Sequence, residues 1–126
     1  MTRKAVHTDS APAAIGTYSQ AIQAGNLVFL SGQIPLLAGT MEIVTGDFDT
    51  RARQVFKNLD AVARAAGGDL NNVVKLTIFL TDLDNFASVN AIMEEFFEKP
   101  FPARAAVGVA SLPKGADVEA DAILAL

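Results

Sequence analysis

The apolar positions of this chain change period several times, and each change marks an element. Ala52, Val55, Phe56, Leu59, Val62, Ala63 and Ala66 follow the i, i+3, i+4, i+7 spacing of one buried helical stripe. Asp47 or Asp49 stands where a side-chain oxygen can cap that helix, and Gly67-Gly68 ends it. A second helix is predicted from about Phe86 to Phe97, with Phe86, Val89, Met93, Phe96 and Phe97 as its stripe. Asp84 or Asn85 is placed to cap it, and Pro100 and Pro102 stop it. Elsewhere the period is two. Tyr18–Ala24 and Leu27–Ser31 read as strands around Gly25-Asn26, a two-residue hairpin signal. Val73–Thr81 reads as a strand with Val74, Leu76, Ile78 and Leu80 on one face, and Ala103–Val109 and Val118–Leu126 as two more. Residues 1–16 read as an extended lead-in, Gln33–Gly46 as a loop with a short strand near Met41–Val44, and Ala110–Asp117 as a turn.

The order β-β-(β)-α-β-α-β-β predicts parallel pairing across the helices and antiparallel hairpins at the two ends. An α+β fold follows, a mixed sheet with two helices on one face. The other face is left for water or a partner subunit.

With 126 residues the chain is expected to form one domain spanning 1–126. Half of its residues are hydrophobic, rich for so small a domain and a sign of apolar surface buried between subunits. The net charge of −4, with no stripe of Lys or Arg, argues against nucleic acid. There is no cysteine and a single histidine, His7, which argues against disulfides, thiol chemistry, a transition-metal site and a Ser-His-Asp arrangement. No apolar run approaches the ~20 residues of a membrane span, and the first residues lack an apolar signal core, so a cytoplasmic protein is expected. No Gly-rich phosphate loop is present, and no cofactor is expected.

Arg104 is the only charge between Lys99 and Lys114, among small and apolar residues. A desolvated guanidinium needs a carboxylate or phosphate partner, and its planar fork suits a carboxylate. Matching apolar with apolar across the last two strands places Arg104, Ala106, Glu119 and Asp121 together on one face, above a floor of Ala and Gly. Two readings stand side by side: a cross-strand ion pair on a solvated surface, or a guanidinium kept for a small molecule. Asn90 interrupts the apolar stripe of the second helix and needs a partner, a loop or a ligand. Tyr18, the only tyrosine, lies where the lead-in becomes strand.

Five runs carry a resemblance. Ala-Pro-Ala-Ala-Ile-Gly-Thr-Tyr-Ser-Gln-Ala (11–21), Leu-Ser-Gly-Gln-Ile-Pro (30–35), Asn-Phe-Ala-Ser-Val-Asn (85–90), Phe-Pro-Ala-Arg (101–104) and Leu-Pro-Lys-Gly (112–115) with Val-Glu-Ala-Asp-Ala (118–122) resemble the RidA/YjgF family, in order and over nearly the whole chain. The resemblance implies a chorismate-mutase-like α+β fold, a homotrimer with active sites between subunits, and hydrolysis of reactive 2-imino or enamine acids to 2-keto acids and ammonia. It implies Arg104 as binder of the substrate carboxylate and Glu119 as the acid that positions water. Tyr18 and Asn90 then line the cleft, while Gly32 and Ala106 offer backbone contacts. Ala106 stands where many members carry cysteine, Thr17 where proline is usual, and Asp121 where glutamate is common. A non-catalytic module binding 2-keto or amino acids, and more distantly a ribonuclease or translation inhibitor, are the competing readings. Continuous ammonia release separates the enzyme from the module.

Overall fold

The computed structural model describes residues 2–126. Eight main elements follow one another: β1 (Arg3–Val6), β2 (Ala21–Ala24), β3 (Leu27–Gln33), α1 (Phe48–Ala65), β4 (Val73–Leu80), α2 (Phe86–Phe96), β5 (Ala103–Gly108) and β6 (Val118–Ala125), with one-turn helices at Leu70–Asn72, Leu83–Asn85 and Pro113–Gly115. Their strands form one mixed sheet in the order β1-β2-β3-β6-β4-β5, all neighbours antiparallel except β4 and β5. The α+β class, the mixed sheet and the two helices agree with the expectation.

α1 begins at Asp47, whose carboxylate accepts the Thr50 N–H at 2.9 Å, and ends before Gly67, which takes the left-handed φ of 98°. Its stripe is buried against β3 and β6 from Ala52 to Ala63, with Ala66 half-buried at its end, and Phe56 meets Phe96 and Phe97 from α2 and its end. Asn85 caps α2 only by position; Asp82, one turn earlier, accepts the Asp84 N–H at 2.9 Å. Val28, Leu30, Leu76, Ile78, Leu80, Ala120, Ala122 and Leu124 complete the core on the helix-covered face.

Three expectations are corrected. The lead-in is partly a strand, β1, because its edge N–H and C=O groups pair with β2. Strand β4 is irregular between Val73 and Lys75, so Val73 turns inward and Val74 is exposed. The largest correction concerns the last hairpin, which does not form. After β5 the chain crosses the end of β4, with the Val109 N–H on Leu80 O at 2.9 Å and the Thr81 N–H on Asp117 O at 3.3 Å. β6 then inserts between β3 and β4, leaving β5 at the edge. The reason lies in burial: β6 alternates buried and half-buried throughout, which suits a central strand, whereas β5 has no buried residue.

The inserted strand changes which side chains share a face. Thr77 and Phe79 lie opposite Asp121 and Glu119 on the uncovered face. Leu76 and Ile78, on the helix side, lie beside Arg104 and Ala106. Arg104 and Ala106 therefore share a face with the core and not with Glu119 and Asp121, contrary to the hairpin reading.

Candidate active site

The predicted site residues fall into two groups on opposite sides of the sheet. Arg104, Asn90 and Ala106 form the first. Edge strand β5 offers Arg104 to α2, where an Arg104 Nη1 hydrogen is donated to Asn90 Oδ1 at 2.6 Å and reaches Met93 Sδ at 3.4 Å. The guanidinium carbon lies 4.7 Å from the centre of the Phe86 ring. Among the described residues no carboxylate pairs with Arg104. Its surroundings are an amide oxygen, a thioether and an aromatic face, which orient the cation without neutralising it. Asn90 thus spends its acceptor on Arg104 and not on a loop. Two recesses of about 390 and 400 Å³ open beside the guanidinium, one toward Phe101 and Pro102, the other toward Leu83, Phe86 and Ala106.

Tyr18, Gly32 and Glu119 form the second group, around a cavity of about 370 Å³. β3 is irregular between Leu30 and Gln33, and this places Gly32 over the Glu119 side chain. A β-carbon at Gly32 would come within 3.0 Å of Glu119 Oε2, so only glycine leaves that carboxylate its place. Burial, reinforced by the Asp121 carboxylate, pushes the Glu119 carboxyl above its ordinary range. Burial raises Asp121 too, against a hydrogen bond with Thr77 that opposes the rise. Tyr18 stays half exposed, its hydroxyl accepting the Ile15 N–H at 3.4 Å.

Polar side chains, Gln20 and Asn58 buried among them, brace the segments around this cavity. Gln20 accepts the Thr8 N–H at 2.7 Å and donates to Thr8 O and Pro12 O at 3.0 and 2.8 Å, holding the lead-in in place. Ser31 donates to Ser19 O at 2.6 Å. Asn58, from α1, donates to Leu36 O at 2.9 Å. Arg51 makes a forked pair with Asp117 at 2.8–3.2 Å and donates to Gly46 O at 2.6 Å, tying α1 to the approach to β6.

Sequence reasoning missed Lys114, which also lines the cavity and donates to Met41 O at 3.0 Å. The Leu-Pro-Lys-Gly run was visible, but nothing in its pattern says that a left-handed backbone turns Lys114 toward that wall.

The sheet thus carries an arginine with no carboxylate partner on one side and, on the other, a half-buried carboxyl with a raised affinity for protons. The chain matches the Endoribonuclease L-PSP family over residues 8–126, and it belongs to that family, the RidA/YjgF family of the motifs above. It is similar to Protein DfrA of Myxococcus xanthus, 55% identical over 98% of this chain and 95% of that protein. It is 47% identical to the 2-iminobutanoate/2-iminopropanoate deaminase of Dermatophagoides farinae, over 98% and 97% of the two chains. The crystal structure of RidA from the Antarctic bacterium Psychrobacter sp. PAMC 21119 superposes with a TM-score of 0.94 at 50% identity, covering 98% of this chain and 99% of the other. No helix among the described residues is long and apolar enough to cross a membrane.

Proposed function

We propose that this protein is a single-domain enzyme that hydrolyses 2-imino acids and their enamine tautomers, such as 2-iminobutanoate and 2-iminopropanoate, to 2-keto acids and ammonia. The observation that carries the reading is the division of the site. A guanidinium without a carboxylate and a carboxyl without a cation sit on different sides of one sheet. Two copies resolve this when the β5 edge of one meets the Glu119 cavity of the next. Such an edge-to-cavity contact is heterologous, and three copies close it into a ring. Exposed Phe29 and Val107 on the uncovered face support the same assembly.

In the joined site Arg104 holds the substrate carboxylate by two charge-assisted hydrogen bonds, beside Asn90. The main chain at Gly32 and Ala106 and the ring of Tyr18 confine the rest of the molecule. Glu119 takes a proton from a water as its oxygen bonds to C2 of the C=N group. The proton passes to nitrogen, giving a carbinolamine; its hydroxyl then yields its proton through Glu119 to the same nitrogen as C=O forms and the C–N bond breaks with its electron pair going to nitrogen, so that ammonia and the 2-keto acid leave. Burial and the Asp121 carboxylate raise the affinity of Glu119 for protons, which suits a group that accepts a proton and returns it. The family's endoribonuclease name suggests an RNA substrate instead, but a net charge of −4 repels a polyanion.

The test times imine decay with and without the protein, generating the imine from an amino acid in situ. Wild type is expected to accelerate decay and ammonia release. Arg104→Ala is expected to lower kcat/KM by about a hundredfold, the loss of two charge-assisted bonds. Near wild-type turnover in that variant would overturn the assignment, and stoichiometric binding without turnover by the wild type would favour the non-catalytic module.

A further inference from the structure

Two charged side chains line the Glu119 cavity: Glu119 itself and Lys114. Lys114 pairs with no carboxylate among the described residues, and its ammonium has a single partner, Met41 O at 3.0 Å. Three N–H donors on that nitrogen leave two for something else.

The backbone shows that this placement is held against a cost. Lys114 and Met41 are the non-glycine residues with positive φ among the described residues, at 58° and 59°, and they bond to each other. Each such conformation is strained for a residue with a β-carbon and persists only where the surroundings hold it. Here the surroundings are the two turns themselves, closed by the Met41 N–H on Leu37 O at 2.8 Å and the Ala116 N–H on Pro113 O at 3.1 Å.

We propose that Lys114 binds a second acidic group on the substrate, so that the preferred substrates are 2-imino dicarboxylates, with the distal carboxylate at Lys114 while Arg104 holds the one next to the imine. This rests on the deaminase reading and deepens it. The small floor of Ala106 and Gly108 belongs to the Arg104 side of the sheet. The side chain of a substrate whose C2 lies at Glu119 extends instead into a cavity of about 370 Å³ that has a cation on its wall, room enough for a four- or five-carbon diacid. The reaction is unchanged: water adds to C2 and ammonia leaves. The reaction that supplies this substrate is oxidation or elimination on an acidic amino acid.

The experiment compares imines made in situ by flavin oxidases from aspartate and from 2-aminobutanoate, trapping residual imine with semicarbazide. The quantity read is the ratio of kcat/KM for the dicarboxylic imine to that for the neutral one. Wild type is expected to give a ratio above one. Lys114→Met is expected to lower the ratio by about tenfold or more, the share of one charge-assisted bond, and Lys114→Arg to keep it within about threefold of wild type. A ratio unchanged in Lys114→Met, or a wild type that turns over only the neutral imine, overturns the inference and leaves the deaminase reading standing. No acceleration of either imine overturns both. Taking a ratio within each variant removes the effect of any loss of folded protein.

Discussion

Arg104 shows how a side chain can be held firmly and left available. Asn90, Met93 and Phe86 supply dipole, polarisable sulfur and ring density, and none of them cancels the charge. Asn90→Asp would place a carboxylate at the same 2.6 Å position. It is expected to tighten Arg104 onto the protein, lower kcat/KM by about tenfold through KM, and leave melting unchanged or raised. Steady-state kinetics beside a melting curve check this. Glu119 is the complementary case. Its carboxyl is raised by burial and by Asp121, and it must be ionised to accept a proton from water. Turnover is therefore expected to fall as pH drops through that raised value. Asp121→Asn removes the repelling charge, lowers the Glu119 pKa and moves the acid limb of the kcat/KM profile to lower pH. A profile that stays in place shows that another group controls the limb.

At the scale of elements, irregular strand pairing and glycine positions carry the site. The irregularity in β3 and the bare Gly32 let the Glu119 carboxylate lie against backbone. Gly32→Ala is expected to push that carboxylate aside and lower kcat by about tenfold or more, with little change in melting, because the displaced group borders a cavity. Kinetics and calorimetry on the same preparation separate the two effects. The helices were legible from their stripes and their ends, since Asp47 and Gly67 act locally. Hairpin β2–β3 was legible for the same reason. β1 and the Lys114 turn were not, because each depends on a partner far along the chain.

The whole molecule poses the question of how two half-sites meet. If Arg104 of one copy serves Glu119 of another, Arg104→Ala and Glu119→Gln damage different halves of the same junction. Each variant alone is expected to be nearly inactive, and an equal mixture allowed to exchange subunits is expected to recover about one quarter of wild-type activity, the statistical share of intact junctions in a ring. A site confined to one copy gives no recovery. Sedimentation checks the ring directly, with a trimer expected.

The sequence by itself determined the helices, the mixed sheet, the family and the identity of the residues that bear charge among small neighbours. These follow from periodicity, capping and local motifs, which act over a few residues. Tertiary structure decided the order of the strands. Apolar matching was satisfied equally well by β5 against β6 and by β6 between β3 and β4, because β3, β4 and β6 each have large apolar residues at even positions, Val107 and Val109 in and just after β5 stand at odd ones, and each pairing has a register that brings apolar to apolar. Burial of β6 on both flanks chose the second. That choice put Arg104 and Glu119 on opposite faces of the sheet, where the hairpin reading had placed them together.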